Sequence, residues 1–301
     1  MYKIDESEFK EKYILMVPAM MDFLFPLIKY ALYSKNYHPI LLDNEEDITN
    51  TGLKHINNDM CFPCAQIMGQ FASALKNCPY DYNRVKLLMP SAGDACRGSN
   101  YVTALRRVVD IIGLSDKVKV YTLNMMGFNP DTKLAVNPEM LWRAFFSIFY
   151  ADILMLLVNQ VRPYEKNKGE ADACWQKWID IISDDLKNGR HLTFGHMFKN
   201  FEKICKDFKD IEITDEKKEK IGIVGELYVK YCHLGNANIV KFLEEKGCEV
   251  HINGISWYLL YYFDSNLSSG VGRIGKIPLK IATDFVSVFQ NKMIKTMREY
   301  G

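Results

Sequence analysis

Cys61 and Cys96 occupy the most chemically pointed surroundings in this chain. Cys61 and Cys64 form a Cys-x-x-Cys around Phe62 and Pro63, a spacing shared by redox pairs, zinc half-sites and iron–sulfur ligands. Cys96 stands in Ala92-Gly93-Asp94-Ala95-Cys96-Arg97-Gly98-Ser99-Asn100, a connection rich in small residues just ahead of a helical stretch. Backbone N–H groups at such a helix start, together with Arg97, favour the thiolate, the form that binds iron. The bland alternative is a Gly-Ser turn carrying an incidental cysteine. A zinc site needs a second pair of ligands, and the chain has no other Cys-x-x-Cys; Cys232 and His233 are adjacent, a spacing at which two side chains do not easily reach one ion. A thioredoxin-like pair belongs on a helix after the first strand of its fold, whereas this pair follows a second strand and a helix. Cys78, Cys174 and Cys205 have no partner nearby in sequence and read as small buried hydrophobes.

Two polar groups also draw notice. Glu226 follows Ile223-Val-Gly at the end of a strand, where it could hydrogen-bond a ligand or simply be a surface carboxylate. Arg162-Pro163-Tyr164-Glu165 could clamp a carboxylate or phosphate through Arg162, or form an interhelical salt bridge. No Gly-x-Ser-x-Gly elbow, Walker loop, Gly-x-Gly-x-x-Gly fingerprint or His-Glu-x-x-His is present, so hydrolase, nucleotidase, dehydrogenase and zincin chemistry has no residues to stand on.

The elements that must position these groups follow from hydrophobic pattern. Short, nearly continuous apolar runs predict strands at Tyr13 to Val17, Ile40 to Leu42, Val85 to Met89 and Val118 to Leu123. Helical spacing predicts helices at Phe23 to Ser34, Thr49 to Asn57, Ala65 to Leu75 and Tyr101 to Ile112. Pro63 is expected to force Phe62 away from helical angles. Strands alternating with helices give an open parallel sheet, so the expected fold class is α/β: a Rossmann-like domain over 11–126. A helical region follows over 127–215, and a second, incomplete Rossmann-like domain over 216–301. In that last part only Ile221 to Gly225 and Cys248 to Ile252 read as strands, with a final helix at Ile281 to Arg298. Ligands of an open parallel sheet bind beyond the carboxyl ends of the strands, near which Cys61 and Cys96 fall.

Composition bounds the partners. Of 301 residues 48% are hydrophobic and 13% aromatic, ample for packed cores. Lys and Arg number 38 against 37 Asp and Glu, so no long-range field gathers nucleic acid or an anionic membrane. The first twelve residues are charged and lack the apolar centre of a secretory signal, so a cytoplasmic protein is expected, with its eight cysteines reduced. The apolar stretch Ala144 to Val158 is short for a membrane span and contains Asp152; it is expected to be a buried helix.

Four segments appear in order along the chain: Asn58-Asp59-Met60-Cys61-Phe62-Pro63, Gly93-Asp94-Ala95-Cys96-Arg97-Gly98-Ser99-Asn100-Tyr101, Asn159-Gln160-Val161-Arg162-Pro163-Tyr164-Glu165 and Val224-Gly225-Glu226-Leu227-Tyr228-Val229-Lys230-Tyr231. Together they resemble the 2-hydroxyacyl-CoA dehydratase and benzoyl-CoA reductase-like superfamily, and more narrowly the uncharacterised domain associated with CoA-dehydratase activator ATPases. The resemblance implies paired Rossmann-like domains holding a [4Fe–4S] cluster that an ATP-hydrolysing activator reduces at low potential. It makes Cys61 and Cys96 cluster ligands, with Arg97 and Asn100 hydrogen-bonding the cluster sulfurs. Members usually draw a further cysteine from a segment beyond the point where this chain stops. Cys64, Cys232 or a complementary C-terminal subunit could supply it. The expectation is an iron–sulfur electron-transfer protein; the alternative is a scaffold that pairs with an activator ATPase or a complementary half and binds no cluster.

Overall fold

The computed structural model describes residues 12–43, 47–57, 59–91, 96–124, 137–268 and 273–300. In chain order its elements begin with strand β1 (Tyr13–Pro18), helix α1 (Phe25–Ile28), strand β2 (Tyr37–Leu42) and helices α2 (Ile48–Leu53) and α3 (Phe62–Lys76). Strand β3 (Val85–Ser91), a 3-10 turn at Arg97–Asn100, helix α4 (Tyr101–Ile111) and strand β4 (Lys119–Asn124) follow. Three long helices come next: α5 (Pro138–Val161), α6 (Glu170–Asn188) and α7 (Phe194–Lys209). The remainder is strand β5 (Lys220–Gly222), helices α8 (Leu227–Tyr231), α9 (His233–Asn236) and α10 (Ile239–Glu245), strand β6 (Glu249–His251), and helices α11 (Ile255–Ser268) and α12 (Arg273–Tyr300).

The fold is mixed α/β, in two compact units that are each assembled from separate stretches of chain. The first comprises the described residues of Met1–Phe25, Leu32–Met140 and Glu226–Ala237; the second those of Pro26–Ala31, Leu141–Gly225 and Asn238–Gly301. The consecutive division read from sequence differs from this partition, because residues 226–237 return to the first unit.

The first unit carries a parallel four-stranded sheet in the order β2-β1-β3-β4. Its strands are apolar because both faces are covered: Ile14 and Met16 point into one core, while Leu15 and Val17 on the opposite face are equally buried. Helix α3 buries Cys64, Ile67, Met68, Phe71 and Leu75, the stripe that a 3.6-residue repeat puts on one face. Helix α4 adds Leu105, Val108 and Val109 to the same core. Tyr228 and Cys232, from the returning segment, complete it. Helices α2 and α3 touch backbone to backbone at two glycines: a Cβ on Gly69 would lie 1.8 Å from the Ile48 carbonyl oxygen, and one on Gly52 1.8 Å from that of Ala65. The helix expected over Thr49 to Asn57 is shorter at its far end, stopping at Leu53.

The second unit holds α5, α6, α7 and the two-stranded parallel sheet β5-β6. Phe145 and Phe149 of α5, Phe194 and Phe198 of α7, and Phe289 of α12 interlock with ring centroids 5.0 to 5.6 Å apart along the contacts to Phe289 other than Phe194, which is closer at 4.6 Å. The stretch Pro138–Tyr164 is long and apolar enough to cross a membrane by length and composition, but 72% of its most apolar window is buried. Asp152 in the middle of α5 is fully buried and accepts the N–H groups of Ile255 (2.7 Å) and Ser256 (2.8 Å), satisfying buried amides that have no intrahelical acceptor at the start of α11. The last helix starts at Arg273 rather than near Ile281, so Pro278 lies inside it. Its missing N–H removes one intrahelical bond without ending the helix.

Candidate functional site

Parallel strands followed by helices bring the N-termini of those helices to the carboxyl edge of the sheet. The strand order reverses between β1 and β3, so the connections leaving these two strands flank the crevice where such sheets take ligands. Cys96 lies in the connection after β3. It precedes the 3-10 turn in extended conformation (φ −71, ψ 142), and its sulfur accepts the Gly98 N–H at 3.3 Å. Arg97 donates to the Asp59 carbonyl at 2.6 Å, pinning this connection to the loop that precedes Cys61. Gly93, Asp94, Ala95 and Asn58 lie outside the described residues.

Cys61 caps α3 in extended conformation (φ −71, ψ 157), and its carbonyl accepts the N–H of Cys64 at 3.0 Å. Phe62 is already helical, against expectation, and the extended residue is Cys61. Proline is tolerated in a first turn because the N–H it lacks would have no helical acceptor there. The Cys61 sulfur lies 2.8 Å from the hydroxyl of Tyr101, either atom being able to donate. Tyr101 opens α4 and is buried.

Of the three thiols, Cys61 bonds this hydroxyl, and Cys64 and Cys96 reach it only through charge. The Tyr101 phenol is pushed well above its ordinary range by burial first, then by its bond to Cys61, and further by the charges that Cys61, Cys64 and Cys96 would carry. Cys64, on the inward face of α3 and fully buried, is pushed up to about 12, by burial first and by Cys61 second. Apolar surroundings thus hold these protons in place. A bound cation reverses the balance, since it deprotonates the thiols that ligate it. The spacing of the cysteines is visible in the sequence, whereas nothing local sets Tyr101 apart. Its role depends on a contact with Cys61 forty residues away, which no local pattern announces.

The remaining sequence-derived residues fall elsewhere or have other work. Asn100 is exposed at the end of the 3-10 turn, with no side-chain capping bond to α4. Glu226 belongs to the first unit, not to the second α/β part, and caps α8: its carboxylate accepts the N–H groups of Tyr228 (3.0 Å) and Val229 (3.1 Å). Cys232 lies between α8 and α9, fully buried, with its thiol directed at the Ala19 carbonyl at 3.7 Å. Burial, then the Asp22 carboxylate, push it up to about 11. Gln70 brackets Ala19 with two hydrogen bonds, which sets Cys232 level with Gln70. That is nine residues, or roughly 13 Å, along α3 from Cys61. Cys232 groups instead with Asp22 and with His233, whose side chain converges with it although the two are sequence neighbours.

Arg162 does clamp a carboxylate, but one of this chain. Its guanidinium makes a two-pronged contact with Glu244 (2.7 and 2.8 Å) and a third bond to Asp172 (3.0 Å). Tyr164 donates to Glu249 at 2.7 Å, and the Glu165 carboxylate accepts Gly169 and Ala171 N–H groups at 2.8 Å each. The whole motif braces the second unit.

Thiolates are the donors of iron–sulfur groups, which use about four protein ligands, but of Cys61, Cys64 and Cys96 it is Cys61 that touches Tyr101, and the three are not among the described donor groups within reach of one ion. Cys78 and Cys205 are held in ordinary packing, Cys78 directed at the Tyr80 carbonyl and Cys205 pushed up to about 12 by burial. Neither a family model, nor a curated protein, nor a solved structure matches this chain.

Proposed function

We propose that this chain is an iron–sulfur protein of the 2-hydroxyacyl-CoA dehydratase type, built on a Rossmann-like sheet, with a second, incomplete Rossmann-like part. The observation that supports the reading is the Cys61 sulfur against the buried Tyr101 hydroxyl, with Cys64 one turn along α3 and Cys96 on a connection that Arg97 ties to the Cys61 loop. Those three thiolates would hold a [4Fe–4S] cluster, which when bound supplies one-electron transfer at low potential. Cys61 and Cys96 present their sulfurs at the starts of helical turns, where N–H dipoles offset thiolate charge. With Cys61 as a ligating thiolate, Tyr101 would be the donor of their 2.8 Å contact, and a donor on a ligating sulfur raises the reduction potential of the group it holds. Arg97 fixes the spacing of the two cysteine loops through the Asp59 carbonyl rather than by touching sulfur. An ATP-dependent activator is the electron donor in this reading, and a complementary subunit the source of the missing ligand.

Anaerobic reconstitution with ferrous iron and sulfide tests it. The wild type is expected to bind iron with a broad sulfide-dependent absorption. Cys61→Ala, Cys64→Ala and Cys96→Ala each lose that absorption, while Cys78→Ala and Cys232→Ala keep it. A colourless wild type, or a Cys61→Ala/Cys96→Ala double variant as brown as the wild type, refutes the reading in favour of a cluster-free scaffold.

A further inference from the structure

Just past the end of β1, three unlike donors meet. The Asp22 carboxylate accepts the backbone N–H of His233 at 2.7 Å through one oxygen, and its other oxygen lies 2.9 Å from the His233 ring Nδ1. A sulfur, a ring nitrogen and a carboxylate oxygen from Cys232, His233 and Asp22 lie within 4.8 Å of one another. Adjacent side chains normally diverge. Here Cys232 is the extended junction (φ −113, ψ 119) between α8 and α9; its sulfur is buried, and the partly exposed His233 ring still comes within reach of it. The Asp22 N–H donates to the Tyr231 carbonyl at 3.1 Å, which fixes the two segments against each other. Cys232 closes the inner side of the group, whereas Asp22 is exposed.

A second observation points to a ligand at this place. Tyr228 is 1% exposed, and its hydroxyl is buried without a hydrogen bond of good geometry, with the Cys232 thiol and the Gln70 side chain as its polar neighbours. The Gln70 amide oxygen already accepts the Ala19 N–H, so the acceptor left for this O–H is the Cys232 sulfur, a weak one while it is a neutral thiol. A metal-bound thiolate is a strong acceptor, and a donor of this kind beside a ligating sulfur is the ordinary outer support of a thiolate site.

We propose that Asp22, Cys232 and His233 form a site for a single zinc-class divalent cation, with the fourth coordination position open. Sulfur and imidazole donors select zinc, cobalt or ferrous iron over calcium and magnesium, which take oxygen. Three protein ligands with one open position is the arrangement that leaves room for water or a substrate atom. The cation would also clasp residues 226–237 to the end of β1. The site does not depend on the cluster reading, since it shares none of Cys61, Cys64, Cys96 and Tyr101.

The test is cobalt titration of the chelator-stripped full chain under anaerobic conditions, with zinc displacement. One equivalent of cobalt is expected to give ligand-field bands together with a near-ultraviolet thiolate-to-cobalt band, both removed by zinc. The thiolate band disappears in Cys232→Ser, and affinity falls at least tenfold in Asp22→Asn and in His233→Gln. Those two replace side chains at or near the surface and should keep the wild-type circular dichroism. Cys61→Ala/Cys96→Ala leaves the cobalt spectrum unchanged. Zinc raises the thermal midpoint of the wild type and not that of Asp22→Asn. No cobalt binding by the folded wild type overturns the proposal, as does a thiolate band surviving in Cys232→Ser. Ligand-field bands without a thiolate component also overturn it, by placing the ion at Asp185, His191 and His196, the other group of donors within reach of one ion among the described residues.

Discussion

Gly69→Ala should destabilise the protein although alanine is the better helix former. The added Cβ would lie 1.8 Å from the Ile48 carbonyl oxygen and 2.6 Å from its carbon, where ordinary contact begins at 3.4 Å. Helix α3 cannot give way, since Ile67, Met68 and Phe71 are fully buried on its inner face. The six-residue α2 must therefore retreat by about 1.6 Å, more than the gap that already forfeits up to half of a dispersion well. Overpacking of this kind costs about 1–3 kcal/mol, and partial exposure of Ile48 adds about 1 kcal/mol. Against this, Gly to Ala in a helix interior gains about 0.5–1 kcal/mol. The net expectation is a loss of about 2 kcal/mol, read as a lower urea midpoint at unchanged slope. Gly195, in α7 with nothing within 4 Å of its added Cβ, is the control; Gly195→Ala should leave the midpoint unchanged or raise it. A Gly69→Ala protein as stable as wild type would refute the claim that backbone contact sets the α2–α3 spacing.

Asp152→Ala removes both acceptors at the start of α11 and should cost about 3 kcal/mol, seen in thermal unfolding, with Asp152→Asn intermediate because one carbonyl oxygen remains. Arg162→Ala should cost about 2 kcal/mol and Arg162→Lys most of that, since an ammonium cannot reproduce the two-pronged contact with Glu244; a double-mutant cycle with Glu244→Gln measures the coupling. Alkaline pH should destabilise the fold. Burial pushes Cys64 and Cys205 up to about 12, so the folded state keeps protons that the unfolded chain releases from near pH 8.5. The stability they contribute is complete below that pH and is lost as pH rises toward 12. Urea midpoints between pH 8 and 11 should fall, and less steeply in Cys205→Ala; equal slopes would refute the assignment.

The four strands of the first unit were legible because parallel strands covered on both faces are written as short apolar runs, and each expected run overlaps an observed strand. The three long helices were legible for a similar reason, since nothing in their periodicity is interrupted before Arg162 or Gly189. The helix expected over Phe23 to Ser34 is only Phe25–Ile28 followed by a 3-10 turn, so spacing gave a helix but not its length. What no pattern announced is the return of residues 226–237 to the first unit. Asp22 and His233 are 211 positions apart, and their contact rests on burial of Tyr228 and Cys232 in a core whose other members lie far upstream. The Cys-x-x-Cys was visible at once. That one of its thiols faces a tyrosine while the other lies in the core is a property of the α3 face, and follows only once that helix is docked.

The interleaving of the two units bears on how the chain is made. The first unit's sheet is fully synthesised at Asn124, yet the segment that finishes its core ends at Ala237, more than a hundred residues later. At about 5–20 residues per second, translation leaves that core open for on the order of ten seconds. Through that interval the places that Tyr228 and Cys232 fill in the finished core have no occupant, so the first unit cannot complete its packing before its chain is nearly four-fifths made.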